Sequence, residues 1–297
     1  LEKRRADLAE GKSGKAVSPV SAKRASVLEL PLTAYLEWAK PVEQGFIRAA
    51  KFLRQECLTA VRDLPYRTQL PPLAAVMAMI GDNERWREPR IYQKLARWYW
   101  CGVLGELYGG AVETRIANDV EELLNWIVAD AEPPRTISDA TFQIDRLASL
   151  SSRLSAAYKG INVLVLREGA KDFFWKANIR DLEADEVALD IHHIFPRDWC
   201  EKQGIASRLY DSIINKTPIS YKANRMIGGT APSQYLGKLQ AHEQVQLDDI
   251  EMNALLASHC IPVEALRADD FAAFYELRQK ELLLLIEKTM GKQSAAE

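Results

Sequence analysis

Through the first half of the chain, apolar residues return every three or four positions, the interval that gathers side chains on one side of an α-helix. Phe46, Ile47, Ala50, Leu53, Cys57, Leu58 and Val61 form the first stripe, with Phe52 off it. They predict one long amphipathic helix after Pro31, closed by Leu64-Pro65. After Pro71-Pro72 a second apolar run, Leu73 to Ile80, is stopped by Gly81-Asp82-Asn83. A third helix is expected from Pro89, carrying Ile91, Leu95, Trp98, Tyr99, Val103 and Leu107 up to Gly109-Gly110. Its Trp98-Tyr99-Trp100 cluster has the chemistry to stack bases, but aromatics at helical spacing read first as core. Further helices are expected over 113–129, 138–149 and 151–168, punctuated by Pro133-Pro134 and ended by Gly169. Helix after helix without strands predicts a helical domain over 31–170.

Beyond 170 the pattern changes. The run Glu186-Val187-Ala188-Leu189 is strand-like and leads directly into Asp190-Ile191-His192-His193-Ile194-Phe195-Pro196. Two of the chain's four histidines stand side by side there. On a strand, neighbouring side chains point to opposite faces, so one histidine can bind a metal while the other stays available. Pro196 cannot donate to a sheet ladder and ends the strand. Asn215 then opens Asn-Lys-Thr-Pro-Ile-Ser, a turn entering a second short β-like piece, and Asn224 lies on a helix expected over Tyr221–Met226. The order strand, loop, strand, helix is a ββα arrangement. Taken singly the same residues are bland: a lone histidine is usually structural, and an asparagine such as Asn215 is usually a turn residue. His242 and His259 lack motif partners and read as structural or surface groups. A last amphipathic helix is expected over Asp270–Lys288, with Phe271, Phe274, Leu277, Leu282 and Leu285 on its apolar side.

The stretch from Asp190 to Asn224, with its D-I-H-H-I-F-P, N-K-T-P-I-S and N-R segments, resembles the HNH (ββα-metal) nuclease motif. In this form it is similar to the C-terminal part of GmrSD-type modification-dependent restriction endonucleases. The resemblance implies a mainly α protein: a helical domain followed by an HNH nuclease unit with flanking helices over 171–297. It implies His193 as general base, Asn215 as the motif asparagine that braces the loop, and His192 and Asn224 as metal ligands. Asp190 either joins them as a ligand or fixes an imidazole tautomer from behind. Many HNH proteins carry Asp where His192 stands; colicin-type members carry His-His with an acid two positions earlier, as Asp190 is here. The chemistry agrees with these roles. A neutral imidazole can take a proton from water, and a divalent cation relieves charge at phosphorus and on the leaving oxygen. Mg is the expected cation, with Mn or another transition metal as the alternatives. The expected activity is metal-dependent DNA cleavage in antiphage restriction. A catalytically silent DNA-binding or regulatory module with the same fold is the main rival, and a DNase toxin a further one.

At 297 residues and 47% hydrophobic content, the chain can bury two compact cores. The formal net charge of −2 means that any DNA-facing surface must be local. Between Arg197 and Lys238, seven basic residues (197, 202, 208, 216, 222, 225, 238) face three acids (198, 201, 211). This is either a positive surface beside the histidines or an ordinary solvated face; Lys216, Lys222 and Arg225 are the candidate phosphate contacts. Cys57, Cys101, Cys200 and Cys260 are scattered without a Cys-x-x-Cys pair, which argues against a structural zinc site. Absent a disulfide pattern, a signal peptide or a long apolar span, a cytoplasmic location is expected. The chain opens on Leu1, and residues 1–30, basic and rich in Gly, Ser and Lys, read as a flexible arm or the remnant of a missing upstream domain. Neither a phosphate-binding Gly-rich loop nor the Asp-Gly-Gln-Gln-Arg signature is present. The resemblance therefore places nucleotide use, and recognition of modified DNA, in an N-terminal partner domain of the same protein. A single nuclease site cuts one strand, so double-strand breaks would need a homodimer or two successive nicks.

Overall fold

The computed structural model of the chain describes residues 2–81, 84–182 and 190–295, apart from the side chains of Glu2 and Asp190. The fold is mainly helical, 64% helix and 4% strand. Two compact units divide the chain, 1–141 and 142–297. This division falls after 141, whereas the sequence pattern places a boundary at 170. Helical segments after 142, which continue the apolar periodicity of the first half, find their packing partners in the second unit.

In the first unit, the stretch expected as a flexible basic arm or an upstream remnant begins with a short helix tied to its surroundings. Helix α1 spans Glu2–Ala9. Arg4 Nε meets Glu121 at 2.7 Å, and Asp7 accepts hydrogen bonds from the Ser18 backbone at 2.8 Å and from Lys12 at 2.7 Å. Helix α2 (Leu32–Gln55) stops earlier than predicted, and its buried stripe is Gly45, Ala49, Phe52 and Leu53. Phe52, expected off the stripe, is fully buried, whereas Phe46 and Ile47 are exposed. The reason is the small residues. A Cβ on Gly45 would stand 2.2 Å from the Ala74 carbonyl, so helix α3 (Leu70–Ile80) lies against the bare side of α2. Close approach, rather than side-chain bulk, fixes which face is inside.

Helix α4 (Pro89–Leu104) buries Trp98, Tyr99 and Trp100, so the aromatic cluster is core. Helix α5 spans Glu113–Ala129, as expected. The helix predicted over 138–149 is replaced by two short helices, Arg135–Asp139 and Arg146–Ser149. Between them the backbone bonds to the far end of the chain instead. Ile144 donates to the Ala295 carbonyl at 3.0 Å, and the Ala295 amide donates to the Phe142 carbonyl at 3.0 Å. Among the described residues, no helix is long and apolar enough to cross a membrane.

The second unit is built around a small sheet. Helix α6 (Ala156–Arg167) is buried along most of its length. Strand β1 (Asp190–His193) follows; the strand-like run Glu186–Leu189 lies outside the described residues. After helix α7 (Arg197–Lys202) comes strand β2 (Lys216–Ile219), antiparallel to β1, pairing Asp190 with Ile219, Ile191 with Pro218, His192 with Thr217 and His193 with Lys216. Pro218 is tolerated because a two-stranded sheet has only edge strands. Ser220 caps helix α8 (Tyr221–Ile227) by accepting from the Ala223 amide. Helices α9 (Pro232–Ala241), α10 (Asp249–Ala257) and α11 (Phe271–Met290) complete the unit. Phe195, directly after β1, sits among Phe271 and Phe274 in the core, its ring 4.8 Å from that of Phe274. α6 packs against both β2 and α11, which is why it belongs to this unit.

Candidate functional site

The two histidines share a strand but not an environment. Alternation along β1 sends His192 and His193 to opposite faces, and the cross-strand register gives each a different neighbour. His193 lies opposite Lys216, and His192 opposite Thr217.

On the His193 face, the imidazole Nε2 is 2.9 Å from the Asp211 carboxylate, and the Lys216 ammonium reaches the same oxygen at 3.3 Å. The His193 ring is mostly buried. Burial, and after it the charge of Lys216, lower its pKa below the ordinary histidine value and outweigh the opposing hydrogen bond to Asp211. Burial alone would raise the Asp211 carboxyl, but its bond to His193 and the Lys216 charge hold it below the ordinary carboxylate value. Both shifts favour the neutral imidazole and the ionised carboxylate.

Asn215 is fully buried and bridges the two ends of the loop between the strands. Its Oδ1 accepts from the Phe195 amide at 2.8 Å, and its Nδ2 donates to the Phe195 carbonyl at 2.9 Å and the Tyr210 carbonyl at 3.0 Å. The Ile194 amide donates to the Asn215 carbonyl at 2.9 Å, continuing the pairing of the strands. The side chain thus ties Phe195 to Tyr210 and fixes the geometry of the loop.

Of the expected ligands, His192 lies on the opposite face of β1 from His193. His192 and Asn224 are both half-buried, and α8, which carries Asn224, packs against β1. An imidazole nitrogen and an amide oxygen are neutral donors suited to a divalent cation that takes the rest of its shell from water and phosphate. The donor chemistry thus fits. The Asp190 side chain, a further candidate ligand, lies outside the described residues. Among the described residues, no three His, Cys, Asp or Glu side chains converge on one point.

The three candidate phosphate contacts separate. Lys216 is buried and ion-paired with Asp211, which corrects its expected place on a DNA-facing surface: β2 turns its side chain toward the packed loop. Lys222 and Arg225 are exposed on α8. The Lys222 ammonium lies 4.2 Å from the Trp175 ring centre, and Arg225 sits 5.7 Å from that of the exposed Tyr221.

Several supporting residues carry no motif signal. Asp172, fully buried, accepts from the Ser220 amide at 2.6 Å and hydroxyl at 2.9 Å, and from the Phe174 and Trp175 amides, so it pins the cap of the helix that carries Asn224. Arg278 of α11 is buried and donates to the carbonyls of Ile214, Lys216 (2.8 Å) and His259 (3.2 Å), clamping the backbone on both sides of Asn215. Burial lowers the Arg278 pKa to about 10. His259 is not a surface group but a structural one. Its Nδ1 accepts from the Thr217 hydroxyl at 2.7 Å, and its Nε2 donates to the Lys171 carbonyl at 2.7 Å. Only Arg278 leaves a trace in the sequence: it occupies the stripe Phe271, Phe274, Leu282, Leu285, where a charged residue is out of place.

No family model matches the chain. It is similar to Uncharacterized protein MJ0686 of Methanocaldococcus jannaschii, with 29% identity over 220 residues that cover 66% of this chain. The match spans 37% of that protein's length.

Proposed function

We propose that the second unit is a divalent-metal-dependent DNA endonuclease of the HNH (ββα-metal) type. The observation that supports this reading best is the division of labour across β1. His193, bonded to a carboxylate, occupies one face and His192 the other, and Asn224 stands on the helix that packs against the strand. His193 is assigned as the general base that takes a proton from water, and Asn215 holds the loop that fixes its position. His192 and Asn224, with Asp190 as a third candidate, would hold the cation. When bound, it supplies Lewis-acid relief of charge on the phosphate and leaving oxygen. Lys222 and Arg225 are the remaining candidates for DNA phosphate contacts. A role in restricting modified phage DNA and joint action with a nucleotide-dependent domain rest on the resemblance to GmrSD-type enzymes.

The test is nicking of supercoiled plasmid in Mg or Mn. The wild type is expected to cut, and His193→Ala to abolish cutting while calorimetric metal binding stays nearly intact. His192→Ala and Asn224→Ala are expected to weaken metal binding itself. Loss of metal binding in His193→Ala, or unchanged affinity in both other variants, would refute the assignment.

A further inference from the structure

The loop between the strands brings to His193 a carboxylate that no motif includes. Asp211 stands eighteen residues downstream, yet its Oδ1 lies 2.9 Å from His193 Nε2. The same oxygen is approached at 3.3 Å by Lys216, the cross-strand neighbour of His193. The loop is fixed from both ends: Asn215 ties Tyr210 to Phe195, and Ser212 donates to the Leu209 carbonyl at 2.8 Å. A carboxylate has no proton to offer, and an ammonium has no lone pair. With Lys216 donating to that oxygen, a neutral His193 ring must supply the hydrogen on Nε2, leaving the Nδ1 lone pair as its only acceptor.

We propose that Asp211 is the positioning residue of the nuclease site, holding His193 in the Nε2–H tautomer so that Nδ1 accepts the proton from water. This assignment rests on the nuclease reading of the second unit. It also gives Lys216 a place: the lysine does not face nucleic acid but orients the carboxylate from the opposite side. Removing Asp211 alone would leave Lys216, a donor, beside Nε2 and would drive the ring to the Nδ1–H form, in which the base is blocked.

The experiment combines long-range ¹⁵N spectra of the His193 ring in the metal-free full chain with plasmid-cleavage kinetics in Mg. The wild type is expected to show the Nε2–H pattern. Asp211→Ala should shift the ring to Nδ1–H and lower kcat by about a hundredfold or more, with KM nearly unchanged. Asp211→Asn keeps an acceptor oxygen and should preserve the wild-type ring pattern. The double variant Asp211→Ala, Lys216→Met removes the competing donor and should return the ring toward Nε2–H with part of kcat recovered, a rescue that a purely structural role does not produce. The inference is overturned if Asp211→Ala keeps the wild-type ring pattern and kcat, or if the double variant cuts no better than the single. A wild type that cuts no DNA overturns the nuclease reading and the catalytic use of Asp211 with it, whereas the ring spectra still report whether Asp211 sets the tautomer.

Discussion

Replacing Asn215 by alanine should loosen the candidate site by opening the loop between the strands. The side chain is fully buried and makes three hydrogen bonds, to the Phe195 amide and to the Phe195 and Tyr210 carbonyls. Truncation strands one donor and two acceptors where water cannot reach without opening the loop. An unsatisfied buried group costs about 1–3 kcal/mol, so even the lower end for three groups gives about 3 kcal/mol. Because 1.4 kcal/mol is a factor of ten, amide exchange over 191–219 should accelerate by about a hundredfold if that segment opens as a unit. The assay is native-state hydrogen exchange read by mass spectrometry, which follows the second unit separately from the first. Asn215→Asp keeps the acceptor for Phe195 but aims a carboxylate at two carbonyls, so it should be at least as disruptive. Exchange slowed or unchanged in Asn215→Ala, or a cost below about 1 kcal/mol, would refute the bracing role.

Three further outcomes are expected. His259 is buried, and burial, reinforced by the nearby Arg278 charge, lowers its pKa to about 4, well under the ordinary 6.5. The unfolded chain therefore binds the proton first, so this contribution is complete above pH 6.5 and is lost as pH falls toward 4. The full span is about 3 kcal/mol, measurable by urea unfolding across that window, and a His259→Gln variant with the same pH slope would refute the attribution. Arg278→Ala should destabilise the second unit by about 3 kcal/mol, because three buried carbonyls lose their donor; near-wild-type urea unfolding would show that the clamp is dispensable. If α8 meets DNA, Lys222→Ala with Arg225→Ala should flatten the dependence of log K on log salt by roughly 0.9 for each phosphate no longer neutralised, without altering metal affinity, and an unchanged slope in anisotropy titrations would place the DNA-facing surface elsewhere.

Much of the framework was legible in the sequence. The helices over Leu70–Ile80, Pro89–Leu104, Glu113–Ala129 and Phe271–Met290 follow from periodicity and from Pro and Gly punctuation. The strand ending in adjacent histidines, the asparagine that opens the second strand, and the helix that follows could be read because their spacing is local. What only the tertiary structure decided comes from chain segments that meet without any local signal. Gly45 and Ala49, too small to register as a stripe, set the buried face of α2 because they let the Ala74 backbone approach. Asp172 reaches Ser220, Lys171 reaches His259, and Arg278 reaches Ile214 and Lys216 across separations of 48 to 88 residues. Lys216, which composition places among the basic surface residues, is turned inward by its position on β2 and held by Asp211. The alternation of a strand is written in its sequence, but which side of the strand is covered depends on elements folded over it from elsewhere in the chain, and that burial is what separates a basic surface residue from a buried ion pair.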